Sequence, residues 1–306
     1  MRPTAPNGSP EVVPVARESL RVQIMAAVAK LTEAGVGSPQ FDAEELAAHL
    51  LGTTRTRLGL LPLVEPEWTE RYRALVDRRA ARVPLQHLTG EAYLGRTTVQ
   101  VGPGVFIPRP ETEVLLEWAL QSIEDVPNPV VVDLCAGSGA IALGIAQARP
   151  DARVHAVERA AGALAWARRN AELHIDGGGT PIDLRGGDFN DQRLLTDLDG
   201  TADLVTANPP YVPDGTPVEP EVGEHDPAEA VFGGADGLDV IRPLISVCAA
   251  LLKPGGFLAI EHDDTQGESV PALLSARRVL ADVTDHPDLT GRPRFVTARR
   301  VTLPPR

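Results

Sequence analysis

From Pro129 onward, short apolar runs alternate with longer amphipathic stretches, and this rhythm constrains the fold more than any other feature. Val130-Val131-Val132-Asp133-Leu134 is apolar at all but one position and too short for a buried helix, which is how a parallel strand covered on both faces reads. The pattern after it predicts a helix over 139–148, a strand over 153–157, a helix over 160–173 and a strand over 181–186. A short helix near 190–197, a strand over 202–207, a helix over 236–252 and a strand over 256–262 follow. One more helix is expected over 265–279, with terminal strands near 281–286 and 294–300. Strands separated by helix-length segments cross over and pair in parallel, so the expected class is α/β, with a doubly wound sheet.

Upstream the period changes. Leu20, Ile24, Ala27, Val28 and Leu31 recur at helical spacing, and Ser38-Pro39 reads as the cap and first-turn proline of a second helix that stops at Gly52. A third helical stretch spans about 67–82. Residues 18–85 therefore read as a small helical domain whose work is binding a partner or covering a site. Residues 86–110, with Tyr93-Leu94-Gly95 and Thr97-Thr98-Val99-Gln100-Val101, read as a hairpin connector leading into an α/β domain over 111–306. Residues 1–17, rich in Pro, Gly, Ser and Asn as far as Pro14, read as a disordered tail with no signal-peptide core.

The net charge is −13, which argues against a broad nucleic-acid-binding surface. Cys135 and Cys248 belong to no Cys/His cluster, so neither a metal site nor a disulfide framework is indicated, in keeping with a reducing cytoplasm. No run approaches the length of a membrane span.

In doubly wound sheets, ligands bind beyond the carboxyl ends of the strands. The first strand end carries Asp133-Leu134-Cys135-Ala136-Gly137-Ser138-Gly139, a loop whose backbone can approach a ligand closely before a helix N-terminus. The third glycine of a dinucleotide loop is absent, Ala142 standing in its place. Asp133 also puts a negative charge where a pyrophosphate would suffer and a sulfonium would not. Glu158 ends the second strand, placed to accept ribose hydroxyls, with a solvated strand-end acid as the lesser reading. Asp188-Phe189 ends the third strand, and a carboxylate beside a ring can take an exocyclic amine and cover an adenine face. Asn208-Pro209-Pro210-Tyr211 ends the fourth strand. The prolines hold this segment extended, and it offers an amide oxygen, a main-chain carbonyl and an aromatic face to a planar NH2 group. The four strand ends together specify S-adenosylmethionine (SAM), leaving as S-adenosylhomocysteine, beside a methyl-accepting nitrogen.

On these residues the chain resembles the SAM-dependent methyltransferases, and within them the PrmC/HemK family of peptide-chain release factor N5-glutamine methyltransferases. The further marks are Ile107-Pro108-Arg109-Pro110-Glu111-Thr112-Glu113, the run 133–143, the glycine-rich 232–239 and Gly255-Gly256-Phe257-Leu258-Ala259-Ile260-Glu261-His262. The resemblance covers about 18–300. It implies a Rossmann-like methyltransferase sheet in which the 135–139 loop, Glu158 and Phe189 contact SAM, with Asp133 and Asp188 close by. Asn208 would face both cofactor and substrate, and Asn208, Pro209, Pro210 and Tyr211 would hold the glutamine of the Gly-Gly-Gln motif of class I release factors. Methylation there would modulate translation termination. Cys135 replaces a family glycine, Glu158 a frequent aspartate, and Phe189 a larger aromatic, so geometry more than chemistry is in question.

Other residues keep two readings each. His262 is a proton acceptor or a packed histidine. Arg109, Glu111 and Glu113 order a lid or simply cap a helix, and Arg292, Arg294, Arg299 and Arg300 read as a solvated strand pair. The alternative function is a nucleic-acid methyltransferase acting on adenine N6 or guanine N2, which lacks a basic target-recognition region here. A non-catalytic binding module and a nicotinamide dehydrogenase fit the strand ends less well.

Overall fold

The computed structural model describes residues 17–303. The chain divides after Thr89 into two compact units.

The first unit begins with β1 (Glu18–Ser19) and continues through α1 (Leu20–Glu33), α2 (Pro39–Leu51), β2 (Leu63–Val64), α3 (Pro66–Ala80) and α4 (Leu85–Thr89). Pro39 and Pro66 open their helices, where the missing N–H costs nothing. The helices close around Leu31, Leu46 and Tyr72, and the Tyr72 hydroxyl donates to the Ala43 carbonyl at 2.8 Å. Inside this core Arg79 Nε donates to Asp42 Oδ2 at 2.7 Å, with both side chains only 8% exposed. The two-residue pair β1–β2, antiparallel, joins the start of the unit to the segment before α3. It is too short to show as a period in the sequence.

The second unit opens on the hairpin β3 (Glu91–Leu94) and β4 (Thr97–Gln100). The expected connector is part of this unit's core, because Ala92, Leu94, Val99 and Val101 are buried in it together with Val105 and Ile107. The unit continues through α5 (Thr112–Ser122), β5 (Val130–Leu134), α6 (Ala140–Ala148), β6 (Arg153–Glu158), α7 (Ala161–Asp176), β7 (Asp183–Gly186) and α8 (Gln192–Leu195). Then come β8 (Ala202–Ala207), α9 (Pro220–His225), α10 (Ala228–Val231), α11 (Ile241–Leu251), β9 (Leu252–Glu261), α12 (Ser269–Ser275), β10 (Leu280–Pro287) and β11 (Pro293–Arg300).

The seven-stranded sheet runs β10-β11-β9-β8-β5-β6-β7. Strands β7 to β9 are mutually parallel, and β11 enters antiparallel to both β9 and β10. The chain starts its parallel set at β5 and moves outward in both directions, so the β5–β8 boundary is the topological switch point. Side chains alternate between two cores. Val131, Leu204 and Ala259 face one, while Val132, Leu134, Val205, Ala207, Leu258 and Ile260 face the other.

Helix α11 begins five residues later than its periodicity suggests. Gly234 and Gly237 have φ of 90° and 72°, outside the helical region, so 233–237 forms a turn. The helix expected over 265–279 is likewise a short 3₁₀ turn at Asp264–Gln266, capped by Asp263, followed by α12.

Cys135 has φ of 59°, in the left-handed region that disfavours a Cβ by about 1–2 kcal/mol. Glycine at this position would remove that strain, at a cost of about 0.5–1 kcal/mol in unfolded-chain entropy. Cys135→Gly is therefore expected to hold or raise the unfolding free energy by up to about 1 kcal/mol, while the β-branched Cys135→Val lowers it by about 2 kcal/mol or more. Denaturant titration checks this, and equal stability of the two variants contradicts the strain.

Candidate active site

A cavity of about 680 Å³ lies in the second unit, beyond the carboxyl ends of β5, β6, β7 and β8. That volume is ordinary for a small-molecule site. Cys135, Ala136, Gly137 and Ser138 line it from the first strand end, Glu158 from the second and Phe189 from the third. Asn208, Pro209, Pro210 and Tyr211 line it from the fourth. Asp133, Gly139 and Asp188 are not in its wall. Asp133 is fully buried beneath the loop and accepts from the Thr206 hydroxyl at 2.8 Å. Burial pushes its carboxyl up to about 7, which weakens the standing negative charge expected of it. Gly139 caps α6. Asp188 turns to Asn190, accepting its N–H at 2.9 Å, and lies 3.7 Å from Arg159.

Glu158 is 8% exposed and its carboxylate is anchored by the main chain. Oε2 accepts from Gly137 N at 2.8 Å and Oε1 from Ala160 N at 2.7 Å. The same carboxylate that ends β6 therefore fixes the glycine loop after β5. Each oxygen retains a lone pair for a ligand hydroxyl. Asn170 on α7, which the sequence did not single out, holds the loop from behind. Its amide NH2 donates to Ser138 O at 2.9 Å and Gln100 O at 3.0 Å, and its oxygen accepts from Gln100 N at 2.7 Å. The Cys135 thiol has its pKa raised by burial and then by Glu158 and Asp133, so it stays neutral.

The Asn-Pro-Pro-Tyr segment is held on three sides. Asn208 Nδ2 donates to Thr112 Oγ1 at 3.3 Å. The Tyr211 hydroxyl donates to Glu261 Oε1 at 2.9 Å, and Gln266 Nε2 donates to the Tyr211 carbonyl at 3.0 Å. Behind it runs the 233–237 turn. A Cβ on Gly233 would stand 2.7 Å from the Pro210 carbonyl oxygen, and one on Gly237 would stand 2.1 Å from that of Tyr211. The glycines let two backbones touch.

The opposite wall comes from Phe106, Pro108, Arg109 and Thr112 and from Val218, Val222, Ala230 and Val231 around α9 and α10. Arg109 joins the two, donating to Asp226 Oδ2 at 2.5 Å and lying 4.9 Å over the Phe106 ring. Burial lifts Asp226 to about 6 even with the Arg109 charge beside it. Glu111 and Glu113 are in the cap and first turn of α5. His262 is fully buried, and its nitrogens face Asp263 O at 2.9 Å and Asp285 Oδ1 at 2.8 Å, so it is a packed histidine. Arg299 and Arg300 are strand-surface groups as expected, but Arg292 and Arg294 line the cavity. The antiparallel return of β11 beside β9 brings them there, a long-range pairing that a period-two pattern does not announce. Among the described residues no metal-ligand cluster occurs, and no helix is long and apolar enough to cross a membrane.

Gly237→Ala is expected to destabilise the fold by about 1–3 kcal/mol, from strain at positive φ and from displacement of the Tyr211 carbonyl. Thermal unfolding measures it, and an unchanged midpoint contradicts the close approach.

Residues 24–90 match the PrmC N-terminal domain family and residues 98–225 the methyltransferase small domain family. The chain is 50% identical over 283 residues to a release factor glutamine methyltransferase of Mycolicibacterium smegmatis, covering 92% of this chain and 98% of that one. It is 50% identical over 285 residues to the Streptomyces coelicolor protein of the same name, with 92% and 98% covered. It is 49% identical over 290 residues to that of Mycobacterium tuberculosis, with 92% of each covered. The chain belongs to the family of PrmC-type release factor glutamine methyltransferases.

Proposed function

We propose that this protein methylates the side-chain amide nitrogen, N5, of the glutamine in the Gly-Gly-Gln motif of class I release factors, with SAM as donor, in the cytoplasm. Its membership of the methyltransferase family supports the reaction class, and the names of its relatives support the substrate. The residues present fit SAM. Glu158 is a buried carboxylate with spare acceptor capacity at the second strand end, and Phe189 offers a ring face at the third. Beyond its chain neighbours, no atom lies within 4 Å of where a Gly137 Cβ would be, which leaves the loop open to a ligand. When bound, SAM supplies a methyl group on a sulfonium, an electrophile that needs no further activation.

The rest falls to this chain. An amide nitrogen is a poor nucleophile because its lone pair is delocalised into the carbonyl. Two acceptors on its two N–H bonds orient it and favour the positive charge that grows on it. The observation that carries the reading is the Asn208 amide, whose NH2 end is tied to Thr112, which leaves Oδ1 for the cavity. The Pro209 carbonyl is the second acceptor, and Tyr211, its hydroxyl held by Glu261, packs on the amide plane. Positioning of this kind supplies roughly 7–11 kcal/mol of a barrier in good cases. The product nitrogen then loses its proton to water, with no side-chain base required.

The test is an intact-mass assay of unmodified release factor with SAM and this protein, followed by fragmentation. One methyl on the Gly-Gly-Gln glutamine is expected. Asn208→Ala should lower kcat by about 100-fold or more while SAM affinity stays within about 3-fold. A methyl found on nucleic acid and not on the release factor overturns the substrate, and wild-type turnover by Asn208→Ala overturns the clamp.

A further inference from the structure

The clamp is held through two side chains: the Tyr211 hydroxyl ends on the buried acid Glu261, and the Asn208 amide ends on Thr112. Glu261 closes β9 and is 1% exposed. The parallel β8–β9 register sets Ala207 opposite Ile260, so Glu261 and Asn208 leave the sheet side by side. Oε1 accepts the Tyr211 hydroxyl at 2.9 Å. Oε2 is equally buried and has no hydrogen bond of its own in the present rotamers.

Thr112, the first residue of α5 and 2% exposed, neighbours both groups: it pairs with Asn208, and its hydroxyl acts on the Glu261 carboxyl. Its oxygen already accepts from Asn208 Nδ2 at 3.3 Å. A hydroxyl has one proton to give. With its lone pair engaged by Asn208, the Thr112 proton is free to turn to the carboxylate. We infer that Glu261 is the positioning residue of the clamp: it takes the hydroxyl protons of Thr112 and Tyr211 on its two oxygens, and so dictates which end of the Asn208 amide faces the substrate.

Glu261 acts by setting hydrogen-bond direction, a role that rests on the proposed methyl transfer. A carboxylate only accepts, so Thr112 must donate to it and accept from Asn208. Asn208 must then present Oδ1, an acceptor, to the substrate NH2. A donor at position 261 would free the Thr112 proton to donate to Asn208 Oδ1, and the amide would no longer be fixed with its oxygen towards the substrate NH2. Burial sets the net direction and raises the Glu261 pKa, against the Thr112 and Tyr211 hydroxyls and the Arg294 charge, so the acceptor form depends on those partners. Burying this acid is costly unless its oxygens are satisfied.

The test uses the full chain with release factor and SAM. Glu261→Gln, isosteric but carrying a donor, and Thr112→Val, isosteric without the hydroxyl, should each lower kcat by about 10- to 100-fold with SAM affinity within about 3-fold. Thr112→Ser, which keeps the hydroxyl, should stay within about 3-fold of wild type, and the double variant should be no slower than the slower single one. A second readout is independent of turnover. The Asn208 side-chain NH2 resonances should exchange slowly in the wild type and fast in Glu261→Gln and Thr112→Val. Wild-type kcat in both variants, or unchanged Asn208 exchange, overturns the inference. Absence of methyl transfer by the wild type overturns the proposed function instead, and leaves the exchange measurement to decide the relay.

Discussion

Leu134 stands opposite Ala207 in the parallel β5–β8 pair, and the site depends on that register. Both strands are buried along their whole length, so their side chains cannot slip by one residue without sending each core set to the wrong face. The glycine loop and the Asn-Pro-Pro-Tyr segment therefore leave the sheet together. Main-chain pairing in the core sets the separation between the donor side and the acceptor side, and no loop flexibility has to be overcome to bring them close.

Around that frame the structure carries several local costs. Cys135 is held at positive φ. Asp133 is buried with a carboxyl pushed up to about 7, and Asp226 is buried with one at about 6. A folded pKa above the unfolded one means these acids contribute least stability at high pH: their ionisation opposes folding as pH rises from about 4 through those values. All three groups border the cavity or the loop that shapes it, where strain and perturbed acids concentrate in functional sites.

Much of this was legible in the sequence, for identifiable reasons. Strand β8 is expected over 202–207 and found there, because a short run bounded by Gly200 and by two prolines has sharp ends. The cavity lining from Cys135, Glu158, Phe189 and Asn208 followed from one rule, that such sheets bind at their strand ends. What escaped was long-range. Asn170 holds the loop across 32 residues, and Glu261 meets Tyr211 across 50. Arg292 and Arg294 looked like surface charge until the antiparallel pairing of β11 placed them in the wall. The 233–237 glycines were recognisable as a mark but not as a cause. Their reason is the contact of their backbone with Pro210 and Tyr211, which no local pattern encodes.

In the proposed reaction the clamp presents acceptors, not donors, to the methyl-accepting nitrogen. A crystal structure with S-adenosylhomocysteine and a Gly-Gly-Gln peptide tests it most directly. The glutamine nitrogen is expected at about 2.7–3.2 Å from both Asn208 Oδ1 and the Pro209 carbonyl oxygen, with the Asn208–Thr112 bond intact. A glutamine bound the other way round, with its oxygen on Asn208 Nδ2 and that bond broken, would contradict it.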